Sequence, residues 1–176
     1  LYEALAQLYD EHQMDFSKII TFNLDEYVGL TKEHPQSYYH FMQKHLFSKV
    51  NINPINIHFP EGIFSDANAA CTNYEQQLNE HGPIDLQILG IGSNGHIGFN
   101  EPAKRMTLKT HITNLASRTI TDNARFFHDP NEVPQQAITM GIGSIMRAKT
   151  ILLMANNSMK AEAIDAIFTG VIDPNV

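Results

Sequence analysis

The segment Gly90-Ile91-Gly92-Ser93-Asn94-Gly95-His96-Ile97-Gly98-Phe99-Asn100-Glu101-Pro102 sets four glycines, one histidine and one carboxylate directly after the apolar run Ile84 to Leu89. A short apolar run that ends in a glycine-rich turn reads as a buried strand of an open α/β sheet, and ligands bind where such strands end. The glycine spacing Gly90-x-Gly92-x-x-Gly95 resembles a dinucleotide fingerprint, but that motif needs a long helix opening at the third glycine and an acid about 20 residues on. Here Gly98 and Pro102 oppose a helix, and Ile112 to Ser117 holds no acid. The loop therefore presents side chains as well as backbone amides. In an extended segment Asn94 and His96 share one face. Glu101 is held near an extended conformation by Pro102, and a carboxylate beside an imidazole raises its basicity and fixes its tautomer.

Periodicity places this turn in an alternating chain. Helices are expected at Leu1 to Glu11, from Pro35 to about Val50, from a Ser65 cap to near Gly82, around Ile120 to Phe127, and from a Ser158 cap through Met159 to Thr169, stopped by Gly170. Strands are expected at Ile19 to Leu24, Asn56 to Phe59, Ile84 to Leu89, Ala137 to Met140 and Ile151 to Ala155. The alternation predicts an α/β fold, a three-layer, open, mainly parallel sheet with helices on both faces, Rossmann-like. With 176 residues, 43% of them hydrophobic, and no repeat or linker, residues 1–176 read as a single domain. Both ends look cut: Leu1 begins inside a helix and Asp173-Pro174-Asn175-Val176 closes no element, so the expected fold lacks N- and C-terminal parts.

Charge and composition exclude several functions. A formal net charge of -7 argues against a nucleic-acid surface while allowing a local basic pocket for an anion. No apolar run reaches membrane-spanning length, and the lone Cys71 precludes an intrachain disulfide and suggests a reducing compartment, the cytoplasm. Nine histidines show no metal-ligand spacing; His40 and His45 fall off a common helical face, so a metal-free site is expected. Three further features sit at strand ends. Asp25-Glu26 follows Ile19 to Leu24, with an acidic helix cap as the plainer reading. Asn123-Ala124-Arg125-Phe126-Phe127 sets a cation beside two aromatics, as an amphipathic helix with a solvated arginine also would. Lys160 falls in a first helical turn, against the dipole, which a bound phosphate would explain; a tolerated surface lysine is the alternative.

Taken together these residues resemble one family. Phe22-Asn23-Leu24-Asp25-Glu26-Tyr27-Val28-Gly29-Leu30, followed by His34-Pro35 and Ser37-Tyr38-Tyr39, is similar to the segment of glucosamine-6-phosphate deaminases that carries the enolisation base. The loop from Gly90 to Pro102 resembles that family's ring-opening loop. Asn123 to Phe127, Val133-Pro134, Ala137 to Gly143 and Ser158 to Lys160 follow in the family's order. The resemblance implies conversion of glucosamine 6-phosphate to fructose 6-phosphate and ammonia, without cofactor or metal. Asp25 is implied as the base, His96 as the ring-opening group with Asn94 and Glu101 orienting it, and Arg125 and Lys160 as phosphate ligands. Some members carry aspartate where this chain has Asn94, which here orients and cannot act as a base. The family's leading strand and phosphate turn would precede Leu1. The basic lining of an allosteric pocket in hexameric members has no match around His111 and Thr113, so no such effector site is expected; a homo-oligomer is compatible with the chain. Two other readings stand: a hydrolase like the 6-phosphogluconolactonases, and a non-catalytic sugar-phosphate-sensing module. Phe99-Asn100-Glu101-Pro102 and Asn23 to Tyr27 favour the deaminase over the first. Retention of Asp25, His96 and Glu101 together opposes the second.

Overall fold

The computed structural model describes residues 1–127 and 129–169. Helix α1 (Tyr2–Asp10) lays Tyr2, Leu5 and Tyr9 on a core of Phe16, Met42, Leu46, Phe47 and Ile52. Strand β1 (Thr21–Phe22) pairs in parallel with β3 (Ile57–His58). Between them the chain forms β2 (Asp25–Tyr27) and helix α2 (Tyr38–His45). Helix α3 (Ala67–His81) leads into β4 (Leu86–Gly90), which runs parallel to β7 (Thr150–Met154) with Gly90 opposite Met154. Strands β5 (His111–Asn114) and β6 (Gln136–Thr139) flank α4 (Ser117–Ala124); α5 (Ile142–Met146) precedes β7, and α6 (Ala161–Phe168) closes the described chain.

The strands are not one parallel sheet. Two parallel ribbons, β1 with β3 and β4 with β7, accompany an antiparallel group in the order β2, β6, β5. The change happens at Asn23 and Leu24. Asn23 N–H still donates to His58 O at 3.0 Å, Leu24 O then accepts from Met140 N–H at 2.7 Å, and Asp25 pairs with Thr139. The long strand expected from Ile19 to Leu24 is thus a two-residue strand, and Asp25 opens the next one instead of following it. A shared core of Tyr74, Leu78, Leu89, Met140 and Ile145, joined by Phe22, Leu24, Ile151 and Leu153, ties the groups together. Its members come from α3, α5, β1, β4, β7 and the β6 exit, with Leu24 between β1 and β2, so apolar burial rather than continuous pairing unites the strands.

Most expected elements are present with shifted ends. Pro35 does not open α2; Ser37 caps it, its Oγ accepting His40 N–H at 3.0 Å. Asp66 replaces Ser65 as cap of α3, accepting from Asn68 N–H and Ala69 N–H. Asn157, in a left-handed conformation (φ 77°), replaces Ser158, and the turn Ser158–Lys160 is 3-10 before α6 begins. Gly170, the expected stop, lies outside the described residues. Besides β2, two further elements, β5 and α5, were not expected. The sequence His-Ile-Thr-Asn of β5 shows no alternation and is a strand only because β6 pairs with it. In α5, Gly141 and Gly143 look like turn residues, yet each is small because the backbone of Leu108 and Lys109 lies where a Cβ would be.

Candidate active site

Loop 91–98 leaves the C-terminal end of β4 and folds back on itself, with Gly92 N–H donating to His96 O at 2.8 Å. It is a tight turn rather than the extended segment expected from the sequence. Gly92 is required by close approach, since the His96 ring occupies the space of its Cβ. Asn94 and His96 nonetheless meet: Asn94 Oδ1 lies 2.6 Å from His96 Nδ1. Asn94 Nδ2 donates to Glu101 Oε2 at 2.7 Å, and Glu101 Oε1 stands 3.7 Å from the same imidazole nitrogen.

These contacts settle the proton positions. An ionised carboxylate only accepts, so Glu101 fixes which end of the Asn94 amide is the NH₂. Asn94 Oδ1 can then only accept, so Nδ1 carries the hydrogen and Nε2 of the neutral ring is free to take a proton. An aspartate at position 94 would need a proton of its own to make both bonds; asparagine makes them at any pH. About a third of each of the His96 and Glu101 side chains faces solvent, so the free nitrogen stays accessible.

Asp25 reaches the same place from β2. A Cβ built on Gly98, whose φ is 59°, would stand 3.1 Å from Asp25 Oδ2 and 3.1 Å from Thr139 Oγ1. The carboxylate therefore lies against the histidine loop, at a residue two positions from His96. No hydrogen bond from the described residues reaches the Asp25 carboxylate; burial, and then the charge of Glu26, push it up to about 7. Such a group is poised to accept a proton near neutral pH. Thr139, fully buried, and Asn100 brace the loop behind it. Thr139 Oγ1 accepts Phe99 N–H at 3.3 Å, and Asn100 Nδ2 donates to Ile97 O at 3.0 Å and Met140 O at 2.9 Å. Neither was singled out from the sequence, where the one signal was a polar residue inside the apolar strand Ala137 to Met140.

The two expected phosphate ligands are placed differently. Lys160 lies on the turn after β7, at the strand edge shared with loop 91–98, because Met154 and Gly90 are partners. Arg125 is exposed and rests over its neighbour Phe126 at 4.7 Å, without contact to Asp25, Asn94, His96 or Glu101. Phe126 and Phe127 line an aromatic cavity of about 180 Å³ together with Tyr27, Tyr38 and Phe41. Tyr38, which lines this cavity, also feels the Asp25 charge. Glu26 faces away from Asp25 and caps α2, so the acidic-cap reading holds for Glu26 and fails for Asp25. Among the described residues no cluster of three or more metal-ligating side chains occurs, and no helix is long and apolar enough to cross a membrane.

The family model for glucosamine-6-phosphate isomerases and 6-phosphogluconolactonase matches residues 1–175. The chain belongs to this isomerase and lactonase family. Within it, the chain is 50% identical to a glucosamine-6-phosphate deaminase of Thermoanaerobacter sp. (strain X514), over all 176 residues and 70% of that relative. A solved monomeric glucosamine-6-phosphate deaminase matches with a TM-score of 0.92 at 40% identity, over 99% of this chain and 72% of that one. The 6-phosphogluconolactonase of Thermotoga maritima matches with a TM-score of 0.74 at 21% identity, over 99% and 72%, which shows a common fold alone.

Proposed function

We propose that this chain carries the catalytic centre of a glucosamine-6-phosphate deaminase, converting glucosamine 6-phosphate and water to fructose 6-phosphate and ammonia. One observation carries the reading: a carboxylate raised to about 7, with no hydrogen-bond partner among the described residues, lies against Gly98 of the loop whose imidazole is held through Nδ1 by Asn94. The cyclic sugar opens when His96 Nε2 takes the C1 hydroxyl proton and returns it to the ring oxygen. Asp25 then removes the C2 proton of the open aldehyde while the C1 oxygen gains one, leaving an enolamine across C1 and C2. Return of a proton to C1 gives the C2 iminium, and water replaces nitrogen there to yield the ketose and ammonia. Asn94 and Glu101 hold the imidazole in the right tautomer. Lys160 and Arg125 supply the positive charge that retains the phosphate, Arg125 through closure of its segment over the aromatic cavity. No step in this scheme calls for a metal or cofactor, and the sugar phosphate is the partner the site would select.

The test is ammonia release from glucosamine 6-phosphate by the protein expressed from its complete reading frame, with 6-phosphogluconolactone as control. Ammonia production without lactone hydrolysis is expected. Lactone hydrolysis without ammonia would replace this reading with the hydrolase one. Tight binding of the amino-sugar phosphate without turnover would replace it with the sensing one.

A further inference from the structure

Glu26 is 4% exposed and uses all of its polar capacity on backbone amides. Its Oε1 accepts from Tyr27 N–H and Tyr38 N–H, and its Oε2 from Tyr39 N–H, each at 2.9 Å. Tyr38 and Tyr39 are the first two residues of α2, whose next amide, His40 N–H, is taken by Ser37. A carboxylate on a strand thus serves as the cap of a helix that begins twelve residues later. All three partners are donors, and the helix N-terminus favours negative charge, which is the setting of an ionised group. Burial leaves the Glu26 carboxyl raised overall, and the three N–H bonds offset part of that rise by favouring the ionised form.

The arrangement matters for the neighbour. β2 has three residues, and consecutive side chains on a strand point to opposite faces. Locking Glu26 under α2 therefore commits Asp25 to the other face, against Gly98 and the histidine loop. We propose that Glu26 is the positioning residue of the reaction: it rivets β2 to the α2 terminus, holding the Asp25 carboxylate at the cleft and a fixed negative charge beside it. This rests on Asp25 being the base. The other groups around Asp25 do not supply a competing charge. Tyr2 of α1, Tyr38 of α2 and Tyr74 of α3 all have phenols raised by burial and by Asp25, so they stay neutral through the working range. β6 offers the hydroxyl of Thr139, and the loop offers Gly98, with His96 and Glu101 paired to Asn94.

Glu26→Gln and Glu26→Asp, made in the protein expressed from its complete reading frame, test this alongside Asp25→Asn. For Glu26→Gln, kcat should fall about 10–100-fold, as displacement of a reacting group by a fraction of an ångström does, with KM for glucosamine 6-phosphate within about twofold. The acid limb of the kcat profile should move to lower pH, because the charge that raises Asp25 is gone. Glu26→Asp keeps the charge and loses reach, so its acid limb should stay in place while kcat falls less. An unmoved acid limb in Glu26→Gln, or a kcat loss fully accounted for by a loss of folded protein, overturns the proposal while leaving Asp25 as base. Should Glu26→Gln fail to fold, a wild-type kcat in Glu26→Asp overturns it equally. Full turnover by Asp25→Asn would instead remove the reading on which the proposal stands.

Discussion

The two sides of the cleft tune their chemistry by opposite means. On the loop side, Glu101, Asn94 and His96 are linked in series by bonds of 2.7 and 2.6 Å, with Asn94 exposed and the other two side chains about a third exposed. On the strand side, Asp25 has no donor among the described residues, and burial, followed by the Glu26 charge, sets its proton affinity. The imidazole is controlled by what it is given, the carboxylate by what it is denied. The difference suits the two jobs. Ring opening needs a group with a known tautomer that can reach an oxygen at the mouth of the site. Removing a proton from carbon needs a base whose proton affinity is high and whose lone pairs are not already engaged.

That contrast predicts where perturbation bites hardest. Asp25→Asn removes the base without changing its shape, so kcat should fall by about 10²–10⁴-fold while KM changes little in steady-state assays. A raised KM with kcat unchanged would mean that Asp25 binds rather than reacts. The same substitution should stabilise the fold, in a pH-dependent way. A carboxyl raised to about 7 holds its proton more tightly folded than unfolded, so its support is complete below about pH 4 and is lost as pH rises through 7. Asp25→Asn should therefore match the wild type in Tm near pH 4 and exceed it by several degrees at pH 8, the equivalent of about 3–4 kcal/mol. A constant Tm difference across that range would show that the carboxylate is not starved of partners. The smallest effect falls on the seam between the two sides. Gly98→Ala sets a methyl 3.1 Å from both Asp25 Oδ2 and Thr139 Oγ1, in a left-handed conformation, and should lower kcat about tenfold. Wild-type kinetics in this variant would separate the loop from the base.

The loop trio was legible because its members are close in the chain: eight residues span Asn94 to Glu101, and glycines flagged a backbone shaped around a side chain. The strand side was less so. Asp25 could be placed near a strand end, but not at the start of a strand, because the partner that makes it one, Thr139, lies more than a hundred residues away and carries no local signal. Helix caps were misplaced by one residue at Ser65 and Ser158, where two capping residues adjoin and only geometry chooses between them. The antiparallel group was hidden for a related reason. β5 pairs on one edge of β6 and has too few apolar residues to announce itself. Arg125 remained as ambiguous as its sequence: it is solvated, and its aromatic neighbours rather than its charge connect it to the cleft.

Residues Thr139 and Met140 moor everything. They take Asp25 in register, Leu24 by its carbonyl, Phe99 by its amide and Asn100 by its amide group. Both proposed reactive groups are thus tied to one short rail, Asp25 through strand register and the histidine loop through Phe99 and Asn100. The moving part in this machine is then the sugar itself, which must unroll from one fixed anvil toward the other as its ring lets go.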